Sequence, residues 1–223
     1  SQGSGASLGA SHIAADYAPE LKLRATIATG VVATFPGGPV ALSEDVKRGD
    51  PARFDMLRLI GGSLADNGPA AASLVTEKGQ KLLAMAKTSC VRDMGLFERS
   101  QHMNAETAFV GGNAQVSSVL TPVTDMPQSR YPAPLFLATG LADHTLSPKH
   151  QYAAVAALCA AGNPVGWKTY PGITQNGIVN TAFDDELTFV TRVLSGKKAA
   201  DVCHALVEPG EPETAKRDIL YNN

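Results

Sequence analysis

Four consecutive segments decide the fold: "YPAPLFLATG" (131–140), "SPKHQYAAVAALCAAG" (147–162), "NPVGWKTYPG" (163–172) and "IVNTAFDDELTFVTRVLSG" (178–196). The first is an apolar run with proline at its start and reads as a strand. The second reads as a helix with Ser147 as N-cap, Pro148 at its first position and Gly162 just past its end. A second short strand and an amphipathic helix closed by Gly196 follow. Strand, helix, strand, helix with short connections predicts α/β organisation around a parallel sheet.

Toward the N-terminus the same grammar continues. "SLGASHIAADYA" (7–18) predicts a helix that ends before Pro19, and "LKLRATIATGVV" (21–32) a strand apolar on both faces, as in a parallel strand buried between helix layers. "FPGGP" (35–39) then breaks the pattern. From Leu42 to Gln128 come short helical stretches such as "DPARFDMLRLIGGSLAD" (50–66) and "EKGQKLLAMAK" (77–87), so the middle reads as a helical insertion. After Lys197, "EPGEPETAKRD" (208–218) reads as a solvated tail. The expected divisions are a core segment 1–35, a helical insertion 36–128, a second core segment 129–196 and a tail 197–223.

A chain of 223 residues that is 44% apolar and 18% charged can bury one substantial core. A formal net charge of -2 with mixed signs supplies no basic stripe for nucleic acid and no polybasic membrane anchor. No run reaches the roughly 18 to 20 apolar residues of a spanning helix. No His, Cys or acidic group has metal-ligand spacing, and no cofactor is expected. Cys90, Cys159 and Cys203 are too few to define a disulfide framework, and on spacing alone they read as buried thiols as readily as bridged ones.

The start of the chain, "SQGSGASLGA", carries the chemical signal. A nucleophilic serine in an α/β sheet sits on a sharp turn between strand and helix, flanked by small residues because larger ones would clash there. Ser1-Gln2-Gly3 has the form of the second half of such a turn, a form that a flexible Ser/Gly-rich end shares. The triad order on this architecture is Ser, acid, His. "LATGLADHTLSP" (137–148) puts Asp143 just past a strand, in the acid's place, and "WKTYPGITQNG" (167–177) supplies the loop where the histidine belongs. Gln175 stands there.

In order and spacing, "SQGSGASLGASHIAADYAPELKLRATIATG", "PLFLATGLADHTLSP", "LCAAGNPVGWKTYPGITQNGIVNTAFDDELTFV" and "DVC" resemble the secretory lipase family of α/β-hydrolases, the lipase A type with its bacterial relatives. The match covers most of the chain and is weakest in the helical middle. It implies an α/β-hydrolase with a helical cap, here a C-terminal part that starts at the nucleophile and lacks the early strands of the sheet. It implies a serine ester hydrolase that uses Ser1, Asp143 and the position of Gln175 as triad, with the Gln2 N–H in the oxyanion hole. It also implies a Cys159–Cys203 bridge, a possible second bridge from Cys90 to the half preceding Ser1, and export to a secreted or periplasmic location. Small-molecule esters are the expected substrates, and an N-terminal companion polypeptide of the same precursor the expected partner.

A neutral glutamine cannot take the serine proton as imidazole does. Three explanations follow: an engineered His-to-Gln change that keeps the shape and abolishes turnover, a natural loss that leaves a binding protein of hydrolase shape, or a self-cleaved N-terminal-serine hydrolase or acylase whose Ser1 α-amine is the base. His144 is expected to be exposed, His12 and His150 to be surface or capping residues, His102 to lie in the cap and His204 in the tail. Asp184 and Asp185 are expected to open a helix and favour its dipole.

Overall fold

The structure is a computed structural model that describes residues 3–36 and 51–223. The chain divides into two compact units, Ser1–Ser43 with Met126–Asn223, and Glu44–Asp125.

The first unit is built on a parallel three-stranded sheet ordered β1 (Thr26–Thr29), β2 (Leu135–Gly140), β3 (Val165–Tyr170). Every residue of β2 is buried, as its unbroken apolar run requires of a central strand covered on both faces. Its pleat divides the core. Leu135 and Leu137 pack with Leu8 of α1 (Gly3–Tyr17) and with Ala154, Val155 and Leu158 of α7 (Pro148–Ala160). Phe136 and Ala138 face the other way, onto Ile178 of α8 (Ile178–Thr181) and Phe189 and Val193 of α9 (Phe183–Leu194). The result is a sheet between two helix layers.

Three element boundaries differ from expectation. Helix α1 starts at Gly3, four residues before the predicted start. Strand β1 covers only four residues of the predicted twelve, because its ladder begins at Thr26, whose N–H donates to Pro134 O. Ahead of Leu135 the partner chain is Pro132-Ala133-Pro134, bent at its first two residues and with no N–H on either proline. The last predicted helix is two, with Ala182 ending α8 and preceding α9.

Helix α1 docks on β1 through hydroxyl groups. Ser4 Oγ donates to Gly30 O at 3.0 Å and accepts from Val32 N–H at 2.8 Å. Ser7 Oγ donates to Ile27 O at 2.8 Å, and Thr26 Oγ1 donates to Ser11 Oγ at 2.7 Å. The approach is too close for a side chain at position 5, since a Cβ on Gly5 would lie 2.3 Å from Val32 O. At the far end of α7, Cys159 is disulfide-bonded to Cys203, 44 residues on, which holds the chain beyond α9 against the core. Among the described residues Cys90 is free and exposed.

The second unit contains α2 (Ala52–Ser63), a 3₁₀ turn (Ala71–Leu74), α3 (Glu77–Met85), α4 (Val91–Ser100), α5 (Ala105–Ala108) and α6 (Gly112–Thr124). Met56, Leu59, Leu82, Met94, Phe109 and Leu120 form its core. Thr76 caps α3, and Asn104 with Thr107 forms a reciprocal capping box on α5. Glu44–Asp125 is a helical body with its own core.

Candidate functional site

Asp143 follows β2 by three residues and has no solvent exposure. Its Oδ1 accepts from the N–H groups of Thr145 and Leu146, both at 2.9 Å, closing a tight turn that leads into α7. Its Oδ2 accepts from Gln151 Nε2 at 2.8 Å. Burial pushes the carboxyl up to about 6, opposed by these hydrogen bonds, which favour the charged form. A carboxylate this deep is held by neutral donors alone among the described side chains that bond to it.

Gln151 carries that link onward. It is fully buried, its Oε1 accepts from Val31 N–H at 3.1 Å, and its Nε2 also donates to Leu146 O at 2.9 Å. The acid is thereby tied to the segment that leaves β1. Sequence reasoning missed this residue. Its signal was a polar side chain on the otherwise apolar stripe of Gln151, Ala154, Val155 and Leu158 along α7.

Gln175, in the loop after β3, reaches the same segment from the other side. It is 8% exposed, and its Nε2 donates to Gly30 O at 3.2 Å. Its Oε1 is buried and meets no hydrogen-bond partner among the described residues. Two glycines permit the convergence. Gly30 has φ +54°, a left-handed turn at the end of β1 that a glycine adopts freely. A Cβ on Gly140 would sit 2.3 Å from Ile173 O, so the glycine ending β2 lets the Gln175 loop lie directly over it.

The Gly30–Val32 segment is thus a hub at the carboxyl end of the sheet. It takes Ser4 from the first turn of α1, Gln151 with Asp143 behind it, and Gln175. Ser1 and Gln2 lie outside the described residues. Of the residues next to them, Gly3, Ser4 and Gly5 open α1, with Ser4 and Gly5 against this hub.

The other polar residues sit apart from the hub. His144 is exposed, with Nε2 3.2 Å from Glu213 O. His12 Nδ1 meets Ser129 Oγ at 3.2 Å and its ring packs against Tyr131. His150, expected as a surface or capping residue, is buried on the inner side of α7, where its backbone N–H takes the Ser147 cap. His102 and His204 are exposed. Asp184 and Asp185 stand in the first turn of α9. Asp185 accepts from Lys168 Nζ at 2.6 Å and Tyr170 OH at 2.7 Å, which hold its carboxyl below the usual range. Among the described residues no group of three His, Cys, Asp or Glu side chains could hold a metal ion, and no helix is long and apolar enough to cross a membrane.

No family model and no curated protein matches the chain. Solved structures do. Candida antarctica lipase A in its closed state superposes with a TM-score of 0.67 at 19% sequence identity over 95% of this chain. A second structure of Candida antarctica lipase A gives 0.60, again at 19% identity and 95% coverage. In both cases the chain spans 51% of the lipase's length. The chain therefore has a lipase-like fold, a partial α/β-hydrolase sheet with an inserted helical unit.

Proposed function

We propose that this chain is the nucleophile-bearing part of an exported serine carboxylic-ester hydrolase in which Ser1 is the nucleophile, Gln2 N–H an oxyanion donor, Asp143 the orienting acid and Gln175 the occupant of the base position. The observation that carries the reading is the convergence of Asp143, through Gln151, and Gln175 on the Gly30–Val31 turn, within a lipase-like fold. In the reaction the serine oxygen bonds to the ester carbonyl carbon, the carbonyl oxygen takes up negative charge opposite backbone N–H groups, and the alcohol leaves as the carbon–oxygen bond breaks. Water then displaces the acyl group from the serine.

A glutamine at the base position supplies a donor and an acceptor but no proton affinity near neutral pH. The chain as it stands is accordingly a slow catalyst. Gln175→His is the direct test, read with a nitrophenyl ester on the protein together with its companion segment. Turnover should rise by at least about a hundredfold, the lower end of general-base contributions. A Gln175→His protein that folds and shows no ester turnover overturns the reading in favour of a binding protein.

Two further parts of the proposal have their own support. The Cys159–Cys203 bridge supports export to an oxidising compartment. A companion polypeptide from the same precursor is favoured by the exposed apolar line of Val179, Phe183 and Leu187 on α8 and α9, which a lone domain would keep from water. Small-molecule esters are the substrate class.

A further inference from the structure

The Pro- and Glu-rich segment after α9 has no helix or strand, and most of it is exposed. Even so it returns to the two loops that carry Asp143 and Gln175. Glu213 N–H donates to Leu141 O at 2.7 Å, in the acid loop, and Glu213 Oε2 accepts from Gly172 N–H at 2.7 Å, in the Gln175 loop. One residue thereby bonds to both. Three residues on, Lys216 N–H donates to Gly172 O at 2.9 Å.

Asn222 completes the attachment. Its Oδ1 accepts from Thr174 N–H at 2.7 Å, and its Nδ2 donates to Gly172 O at 2.9 Å and to Lys216 O at 2.7 Å. The glycines on either side of Gln175 are shaped for this segment. Gly172 has φ +72°, and a Cβ there would lie 2.7 Å from Lys216 Cγ; a Cβ on Gly177 would lie 2.3 Å from Asn222 Oδ1. Tyr221, just before Asn222, is in the left-handed region at φ +59°, an unfavourable backbone state for a tyrosine that surrounding bonds must hold. A merely solvated tail would show none of these features.

We propose that residues 211–223 form a strap whose Glu213 and Asn222 are positioning residues, fixing the loop that bears Gln175 against the loop that bears Asp143. The proposal rests on the ester hydrolase reading for its catalytic meaning, but its structural content does not. Orienting a base to within a fraction of an ångström is worth orders of magnitude in rate, so a strap that holds both loops acts on kcat rather than on substrate binding.

Amide hydrogen exchange on the full chain reads the strap directly. Asn222→Ala should speed exchange at Thr174, and Glu213→Ala at Gly172, each about tenfold, with β2 and α7 unchanged. Glu213→Gln keeps an oxygen for the Gly172 N–H and should restore its protection, whereas Asn222→Asp sets an oxygen against Gly172 O and Lys216 O and should not restore that of Thr174. In the Gln175→His background, Asn222→Ala and Glu213→Ala should each lower kcat about tenfold with KM unchanged, and Glu213→Gln should keep the parent value. Unchanged exchange at Thr174 and Gly172, or a general rise that Glu213→Gln does not avoid, overturns the strap. If exchange responds as expected while Gln175→His has no ester turnover, the strap stands and the esterase reading falls. If Gln175→His turns over and Asn222→Ala leaves kcat unchanged, the positioning role falls instead.

Discussion

The helical unit and the α/β unit each bury a carboxylate, and they treat it in opposite ways. Glu98 of α4 is 3% exposed and gives both oxygens to one arginine: Oε1 accepts the Arg53 backbone N–H at 2.6 Å and Oε2 its guanidinium at 2.5 Å. Asp143 is more deeply buried and is met by two backbone N–H groups and an amide side chain. A charge placed against a cation is neutralised and serves as a pin between helices. A charge held by dipoles keeps its field and its unfavourable burial, the condition in which a carboxylate can orient and stabilise a neighbouring cationic base.

The difference can be broken first by truncation. Glu98→Ala should lower stability by about 3 kcal/mol at pH 7, because it leaves a partly buried guanidinium without its partner. Asp143→Ala should cost less, about 1 kcal/mol, since orphaned donors are offset by relief of a desolvated charge. Urea denaturation at pH 7 measures both, and equal losses would erase the contrast.

A pH series sharpens it. The carboxyl of Asp143 is pushed up to about 6 in the folded chain, above its unfolded value near 4. Between those two values the folded state binds the proton more readily, so stability contributed by this group rises as pH falls through 6 and levels off below 4. Relative to Asp143→Asn, the parent chain should gain about 2 kcal/mol between pH 7 and pH 4. A flat difference would mean that Asp143 ionises as an ordinary surface carboxylate.

A further comparison separates the two glutamines. Gln151 is bonded at both ends, so Gln151→Met should cost about 1–2 kcal/mol by stranding Asp143 Oδ2 and Val31 N–H. Among the described residues Gln175 has one bond and an acceptor that meets no partner, so Gln175→Met should stay within about 0.5 kcal/mol of the parent. Thermal unfolding compares them, and a larger loss at Gln175 would show that its acceptor has a partner in solution.

Much of this architecture was legible in the residues. β2, α7 and β3 announce themselves through apolar runs, the Ser147-Pro148 start and the Gly162 stop, and the loop order places Asp143 and Gln175 without a structure. What misled was local likeness. "LKLRA" is as strand-like as "TIATG", and the ladder begins only at Thr26, where the partner chain leaves its bent Pro132-Ala133-Pro134 stretch. Nothing in "IVNTAFDD" marks the break at Ala182. The strap was invisible because Pro, Glu and Gly report solvation by composition, whereas its attachment depends on contacts with loops some forty to seventy residues earlier, such as Gly172 and Leu141.

The serines of α1 have one more consequence. An apolar stripe lets a helix slide along a sheet by a fraction of a turn at little expense, because dispersion is non-directional and each methyl group that leaves one neighbour soon meets another. Hydroxyls bonded to Gly30, Ile27 and Thr26 act as three notches on a ruler, and any axial shift breaks them together. The helix is indexed in length as well as in face, so its first turn keeps a constant distance from the end of β1 under shear or thermal agitation.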